Sequence, residues 1–287
     1  MIKIAVFTVM LPEYDLQQTA AALAEKGYDG VEWRVTRIDP SKADQPPSYW
    51  GNNRSTVDVE TIGEKALEIR AMSDATGLEI CNLACYEPGD AFERIEKIMQ
   101  AARKMGVRSM RVGVPRYDRT RPYPELLQEA RRNLWQIEKL AKKYGVKGLI
   151  EIHMGTITPS ASAACRAVEG FDPDAIGVIL DPGNMVNEGW EAWRLGMEAL
   201  GPYLAHVHAK NYRWVVSHTD EKGTVHWKPE AVPIPEGLVD WGLVIDDLHK
   251  VGYDGWISFE DFSAVPTDEK LIRNLAYIRQ FTAHGAA

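Results

Sequence analysis

The chain has 287 residues, a length that permits either one large barrel or two smaller domains. Of these residues 45% are hydrophobic and 26% are charged, as is ordinary for a globular protein. The formal net charge of −8, with no basic cluster, argues against nucleic-acid binding, and apolar runs no longer than a strand predict no membrane span.

The start of the chain and its three cysteines favour a reducing cytoplasm. The segment from Ile2 to Phe7 has the character of a strand and lacks the basic start and cleavage site of a secretory signal. Cys81, Cys85 and Cys165 cannot build a disulfide framework, and no other Cys or His follows at zinc-finger spacing. We therefore expect buried, reduced thiols and a cytoplasmic protein.

Eight short apolar runs alternate with eight longer amphipathic ones along the chain. The predicted strands are Ile2–Thr8, Gly30–Arg34, Leu78–Ala84, Ser109–Val114, Lys147–His153, Ile176–Asp181, Leu204–Ala209 and Trp256–Glu260. The predicted helices are Leu16–Lys26, Val57–Thr76, Ala91–Met105, Pro124–Tyr144, Ala161–Glu169, Trp190–Leu200, Leu243–Val251 and Asp268–Ala283.

Eight such units with no break in composition predict an α/β fold of the (β/α)₈ TIM barrel type, one domain over residues 1–287. An open doubly wound sheet is the alternative. No glycine-rich dinucleotide motif or P-loop follows an early strand, which removes the usual cofactor signature of that fold.

Two segments that leave strands are long, at about 35–56 and 211–237, whereas the connections into strands are tight and often carry glycine. In a barrel both long segments lie at the carboxyl face, where active sites are built, so we expect mouth loops with a functional role. Trp50 and Trp214 are candidates for an apolar wall of the pocket, while Trp33 is expected in the core.

Four strands in the second half of the chain deliver a polar side chain near the end, although buried parallel strands are normally apolar throughout. These side chains are Glu151, Asp181, His208 and Glu260. Three carboxylates and an imidazole suit one hard or borderline divalent ion, for which we expect Mn²⁺, with Mg²⁺, Co²⁺ or Zn²⁺ also open. Without a cation the three carboxylates would repel one another and raise their pKa values.

Other polar residues fall on the inward face of the strands by alternation. Of two histidines on the seventh strand, the outer His208 is the better ligand, and the deeper His206 is expected to support it or to pack.

Four more inward residues are candidates for substrate binding, each with a structural alternative. His153 could instead orient Glu151, and Lys210 could stabilise an oxyanion or form a surface salt bridge. Arg111 could bind substrate, or it could pair with Glu32 or Glu151. Glu32 is a candidate for the same reason, since it too lies at a strand end on the inward side.

Five motifs occur in order along the chain, each weak by itself. They are Gly27-Tyr28-Asp29-Gly30-Val31-Glu32, Leu149-Ile150-Glu151-Ile152-His153, Leu180-Asp181-Pro182-Gly183-Asn184, His206-Val207-His208 and Gly252-Tyr253-Asp254-Gly255-Trp256-Ile257-Ser258-Phe259-Glu260. As an ordered set over nearly the whole chain, they resemble the xylose isomerase-like barrel superfamily, the sugar-phosphate isomerase and epimerase group.

The resemblance implies roles for particular residues. The four predicted ligands match the metal ligands of ketose 3-epimerases, and two of them, Glu151 and Glu260, match the pair that shuttles protons. Arg213 falls near a substrate-binding arginine. The implied partner is a small sugar or keto-polyol, with no nucleic acid and no membrane, and a homo-oligomer is left open.

One position departs from the free-ketose epimerases, which usually have a histidine three residues after the strand-six aspartate. This chain has Asn184, which can donate a hydrogen bond to a substrate hydroxyl but cannot titrate near neutrality. The same turn occurs among pentulose-phosphate epimerases, yet no glycine-rich or arginine-rich phosphate cradle is evident in the sequence. The metal site is unaffected, and the identity of the sugar stays open.

The chemistry that the resemblance implies is that of a divalent-metal-dependent isomerase or epimerase, which moves a proton next to a carbonyl through an enediolate. A dehydratase or lyase acting on a keto-inositol or related cyclic keto-sugar is one alternative, because it needs the same enolate and then expels a β-hydroxyl. A non-catalytic sugar-binding or partner subunit is the other, and it would not need stoichiometric metal.

Overall fold

The computed structural model describes residues 1–282, in which parallel strands close into a barrel. The strands, numbered in chain order, are β1 (Lys3–Phe7), β2 (Gly30–Thr36), β3 (Val57–Asp58), β4 (Glu79–Cys85), β5 (Ser109–Arg111), β6 (Lys147–Glu151), β7 (Ile176–Leu180), β8 (Leu204–Ala209), β9 (Asn211–Thr219), β10 (Val225–Val232) and β11 (Trp256–Phe259). The barrel order is β1-β2-β4-β5-β6-β7-β8-β11, and β1 pairs with both β2 and β11. The predicted single-domain barrel is confirmed.

Helices surround the barrel and pack their apolar faces on it. They are α1 (Leu16–Lys26), α2 (Ile62–Thr76), α3 (Phe92–Met105), α4 (Tyr123–Tyr144), α5 (Ala161–Val168), α6 (Pro182–Asn187), α7 (Trp193–Leu200), α8 (Trp241–Lys250) and α9 (Thr267–Thr282). The predicted end of the last helix, Ala283, lies outside the described residues. No helix among residues 1–282 is both long enough and apolar enough to cross a membrane.

Local sequence explains where the helices begin and end. At α1, Asp15 and Gln18 form a reciprocal capping box, and Gly27 ends the helix in the left-handed conformation at φ 83°. Glycines end α2, α3 and α4 in the same conformation. The short turns that follow send the chain directly into the next barrel strand.

Two predicted elements differ from the structure. The predicted helix Val57–Thr76 begins only at Ile62, because Val57 and Val59 alternate as buried residues and the first of them pairs with β2 as a short strand. The segment 211–237 contains an antiparallel hairpin of β9 and β10 instead of an irregular loop. The hairpin turn is closed by Asp220, whose side chain accepts backbone hydrogen bonds from Lys222 and Thr224.

Barrel strands end at or just before the polar residues singled out above. On β6, Ile150 and Ile152 are buried in the apolar core shared with the helices, which leaves Glu151 on the opposite, inward side. Asp181 immediately follows β7 as the N-cap of α6, a helix that the periodicity did not predict. These side chains therefore project into the carboxyl end of the barrel.

Candidate functional site

The four predicted ligand side chains meet at the carboxyl end of the barrel. One oxygen each of Glu151, Asp181 and Glu260 and a ring nitrogen of His208 all lie within 4.8 Å of one another, and all four residues are buried. Nδ1 of His208 is 3.0 Å from Oε1 of Glu151. The same nitrogen lies 3.9 Å from Oδ2 of Asp181 and 4.0 Å from Oε2 of Glu260. The nitrogen that faces the carboxylates is therefore Nδ1.

This set of donors fits a divalent cation. Three carboxylates gathered in a buried space require compensating positive charge, and carboxylate oxygens with one imidazole are ordinary ligands for divalent ions. Part of that charge comes from Lys210, whose Nζ is 2.8 Å from Oδ2 of Asp181 and also contacts Oε2 of Glu260. A metal ion would share these two carboxylates with the ammonium group.

The other ring nitrogen of His208 is held by Glu32. Nε2 of His208 lies 3.2 Å from both carboxylate oxygens of Glu32, and Nε2 of His206 lies 3.0 Å from one of them. Asn82 donates to Glu32 at 2.8 Å, and the ring of Phe7 stacks on His208 at 5.5 Å. Glu32 is fully buried beneath the site, where its contacts with both histidines orient the imidazole of His208. The structure does not bring it to the cavity over the cluster, and its contact with substrate stays a prediction.

Arg111 pairs with Glu151, one of the roles considered for it, and it also reaches the cavity where a substrate contact was predicted. Its Nη1 lies 2.5 Å from Oε2 of Glu151, its Nε donates to the carbonyl of Cys85 at 2.9 Å, and its guanidinium lies over the ring of Tyr86. It also lines the adjoining cavity. Burial alone would raise the pKa of Glu151, but the charge of Arg111 and the hydrogen bond from His208 hold it well below its ordinary value. Glu151 is therefore ionised near neutrality.

The pKa values of Asp181 and Lys210 are both raised, although the attraction between the two groups lowers the first and raises the second. Burial raises the pKa of Asp181 to about 6, although the positive charge of Lys210 opposes the change. Burial alone would lower the pKa of Lys210, but Asp181 and Glu260 raise it well above its ordinary value. Lys210 is therefore an ammonium group at the edge of the ligand cluster.

Asn184 lies against Asp181 and away from the cavity. Its backbone N–H donates to Oδ1 of Asp181 at 2.9 Å, which makes the aspartate the N-cap of α6. Its side-chain amide donates to Oδ2 of Asp181 at 2.8 Å and to the carbonyl of Ile152 at 3.0 Å. The side chain is fully buried, does not line the cavity and orients Asp181, so its hydrogen bond to substrate stays a prediction.

A cavity of about 820 Å³ opens over the ligand cluster. Arg111, His153 and Lys210, three of the predicted substrate-binding residues, line it together with Glu151 and Glu260. Sequence reasoning named Trp50 for its wall but missed the other aromatic and cationic lining residues, which are Tyr49, Tyr86, Arg116, Tyr212 and Phe262. Aromatic residues one to three positions after a barrel strand, as at Tyr86 and Phe262, are the signal that would have found two of them.

Arg213 is not brought to this cavity. It lies on β9, exposed, and its Nη2 pairs with Oε1 of Glu230 on the neighbouring strand β10. Trp214 also lies outside the lining and donates its indole N–H to the carbonyl of Val186. The structure therefore does not bring Arg213 to the cavity, because the nine-residue strand β9 carries its exposed side chain outward, and its substrate contact stays a prediction. Trp33 is buried in the core, as predicted.

A second large cavity, of about 960 Å³, lies at the other end of the barrel. It is lined by residues at the amino ends of strands, among them Ser109, Lys147 and Trp256. None of the four candidate ligands lines it. In barrels of this type the carboxyl end carries the active site, so the cavity over the ligand cluster is the candidate site.

A family model described as the xylose isomerase-like TIM barrel matches residues 20–281. The chain therefore belongs to the xylose isomerase-like TIM barrel family. This agrees with the resemblance seen in the ordered motifs. The matched residues include the ends of seven of the eight barrel strands, all but that of β1.

Similar proteins of known type include sugar epimerases and dehydratases. An inosose dehydratase of Lacticaseibacillus casei is 24% identical over 125 residues, which are 42% of this chain and 42% of that relative. The matched segment thus spans less than half of the length of this curated relative.

Solved structures share the fold over nearly the whole chain. A 3-keto-D-glucoside 4-epimerase of E. coli superposes with a TM-score of 0.71 at 17% identity, covering 98% of this chain and 100% of the other. The IOLI protein with a bound zinc atom superposes with a TM-score of 0.70 at 16% identity, covering 99% and 98%. At these identities the likeness is one of fold.

Proposed function

We propose that the chain is a divalent-metal-dependent isomerase or epimerase that transfers a proton next to the carbonyl of a keto sugar or keto-polyol. The observation that carries the proposal is the buried cluster of three carboxylates and one imidazole, of which Glu151 and Glu260 line an 820 Å³ cavity. Sugar epimerases among the similar structures support it.

The residues that would hold the ion are Glu151, Asp181, Glu260 and Nδ1 of His208. We expect Mn²⁺ from the excess of carboxylate ligands, with Zn²⁺ the main competitor because one similar structure contains it. When bound, the metal supplies Lewis-acid stabilisation of the negative charge that develops on the substrate oxygen.

Two glutamates of the cluster are proposed to move the proton. Glu151 is kept ionised by Arg111, so it can accept a proton from the carbon next to the carbonyl. Glu260 lines the same cavity, so in its protonated form it can return a proton to the substrate while Glu151 keeps the proton that it removed. Return to the opposite face of the same carbon gives epimerisation, and return to the neighbouring carbon gives isomerisation.

Lys210 is proposed to stabilise the oxygen of the enediolate. Its Nζ lies within the carboxylate cluster and lines the cavity, and its raised pKa keeps it charged. A fixed ammonium group in a buried site stabilises developing negative charge without costly rearrangement. Arg111 then acts by holding Glu151 in place and by bounding the substrate.

Dehydration of a keto-inositol or related cyclic keto-sugar is the second candidate. The curated relatives named inosose dehydratases favour it, since dehydration begins with the same proton abstraction. It differs in the second half of the reaction, in which a β-hydroxyl leaves as water. Aromatic rings along the cavity wall suit the apolar face of a sugar in either case.

A panel of ketoses, their phosphates and keto-inositols, incubated in deuterated water with the metal-loaded chain, tests the proposal. Deuterium incorporated at the carbon next to the carbonyl without loss of water supports the isomerase or epimerase. Water loss with formation of an unsaturated product supports the dehydratase. Neither reaction, together with no stoichiometric metal in the purified protein, contradicts both and favours a non-catalytic sugar-binding or partner subunit.

A further inference from the structure

A small cavity of about 240 Å³ lies beside the substrate cavity and is rich in cations. It is formed where the end of β2 meets the segment 35–56, and the cationic side chains along it are Arg34, Arg37 and Lys42. Trp50 lines both this cavity and the substrate cavity. The two spaces therefore adjoin at a single indole ring.

Arg34 is a buried cation without a counter-ion. It is 8% exposed, its Nη1 donates to Oγ1 of Thr56, and its Nε is buried without a hydrogen-bond partner among residues 1–282. No carboxylate of the described chain forms an ion pair with it, whereas the comparably buried Arg111 is paired with Glu151. A guanidinium cannot discard its proton, so the missing negative charge has to come from elsewhere.

The surroundings of the cavity add positive charge to that of Arg34. Lys42 forms no ion pair within the described part of the chain, and Arg37 is held at the rim by Glu60. One carboxylate, that of Asp39, also lines the cavity, but it accepts hydrogen bonds from the backbone and hydroxyl of Ser41. Three cations against two carboxylates, Asp39 and the Arg37 partner Glu60, leave one net positive charge, and Arg34 is the buried cation that neither carboxylate pairs with.

We propose that Arg34, Arg37 and Lys42 form an oxyanion subsite, which binds a phosphate or a carboxylate group. A planar guanidinium with free N–H donors matches either group with paired, charge-assisted hydrogen bonds. This subsite is distinct from the metal cluster, because none of the four candidate ligands lines the small cavity.

The oxyanion bound at this subsite could be a free small anion or an anionic group carried by the substrate, and the two have the same chemistry. The second source rests on the proposed function. The ring of Tyr86, which lines the larger cavity, lies 5.3 Å from the guanidinium carbon of Arg34 and 4.1 Å from that of Arg111, so Arg34 is close to the candidate site. An anionic arm of a sugar could pass Trp50 to reach Arg34.

The first experiment measures the binding of inorganic phosphate to the full chain by calorimetry at low ionic strength. Metal is removed beforehand with a chelator, so that phosphate cannot bind to it. We expect millimolar or tighter binding that Arg34→Gln weakens by about tenfold or more, as loss of a charge-assisted hydrogen bond requires. Arg54→Gln, on the same segment but outside the cavity, is the matched control and should bind as the parent does.

Three results bear on the assignment. Retained binding in His208→Ala supports a subsite independent of the metal cluster. Absence of millimolar phosphate binding in the parent chain, or unchanged binding in Arg34→Gln, overturns the proposal. If Arg34→Gln does not fold by circular dichroism, Lys42→Gln decides instead, with an expected loss of about threefold in affinity for a rim cation, and an unchanged affinity in that variant overturns the proposal.

A second experiment distinguishes a free anion from an anionic group of the substrate. It compares the KM of the metal-loaded chain for a ketose and for the same ketose phosphorylated at its end. A lower KM for the phosphorylated sugar that disappears in Arg34→Gln supports the anionic group of the substrate. Equal KM values alongside Arg34-dependent phosphate binding support a free anion. If no sugar is turned over but phosphate still binds through Arg34, the proposed function fails while the subsite stands.

Discussion

The floor and the wall of the substrate cavity are built differently. The floor is the ligand cluster: Glu151 and Glu260 line the cavity, and Asp181 and His208 lie buried next to them at or near strand ends. All four are held by partners from other strands. The wall contains aromatic residues from connecting segments, and one of them, Trp50, is 55% exposed. On the proposed function, this difference ties the reaction step to the rigid barrel and the choice of substrate to the connections.

The largest expected effect is on the proton-moving glutamates of the floor. Glu151→Gln and Glu260→Gln should each lower kcat by about 10³-fold, because an amide cannot accept the proton. Steady-state kinetics with the metal content measured on the same samples checks this. Glu125→Gln, exposed on α4, is the control. Full turnover in either variant with metal bound would rule out the two-glutamate mechanism.

Substitution of the two histidines of β8 should affect metal affinity to different extents. His208→Ala should lower metal affinity by more than about 100-fold, and His206→Ala by less than about tenfold. Only His208 directs a ring nitrogen at the three candidate ligand carboxylates, whereas His206 contacts Glu32 beneath them. Metal content after dialysis, read by elemental analysis, is the measurement. The reverse order would exchange the roles of the two residues.

Metal affinity should depend on pH through Asp181 and His208. Asp181 has a pKa of about 6 through burial, so below that pH the metal must displace its proton. Burial alone would lower the pKa of His208, but Glu32 and Glu151 raise it well above its ordinary value, so the metal displaces a proton there at neutral pH as well. The logarithm of affinity should therefore rise with a slope of about two below pH 6 and about one above it.

Titrations of metal into the chain at several pH values check this prediction. Asp181→Asn should bind metal more weakly and should lose the change of slope near pH 6, since an amide does not titrate. A slope that stays constant through this range in the parent chain would show that Asp181 does not hold a proton in the metal-free protein.

A change in the wall should alter binding and leave the chemistry nearly untouched. Trp50→Ala should raise KM by about fivefold, within the range for loss of aromatic contacts, with kcat within about twofold of the parent value. Trp135→Ala, at a similarly exposed tryptophan on α4, is the matched control. A drop in kcat as large as that for the glutamates would break the distinction between floor and wall.

The smallest effect is expected at Arg213, outside the cavity. Arg213→Gln removes an exposed ion pair with Glu230, which contributes about 0–1 kcal/mol to stability. Both KM and kcat should stay within about twofold of the parent values in steady-state assays. A large rise in KM would mean that the hairpin of β9 and β10 turns Arg213 toward the substrate during the reaction.

Periodicity and turn chemistry were enough to predict most of the barrel. Helical repeats, capping residues and glycines at helix ends are local signals, and they marked all eight strand–helix units. The hairpin in 211–232 was missed because many side chains on both of its faces are exposed, which removes the alternation that indicates a strand. The short helix α6 was missed because six residues carry too few turns for a periodic pattern.

The sequence by itself determined which residues can reach the barrel mouth, because alternation along a strand and the common direction of parallel strands depend only on local order. Tertiary structure alone decided their partners, since these come from strands far apart in the chain. Glu32 lies under His208 across 176 positions, and Arg111 meets Glu151 across 40. The same closure of the barrel leaves Arg34 buried without a carboxylate, a property that no local pattern contains.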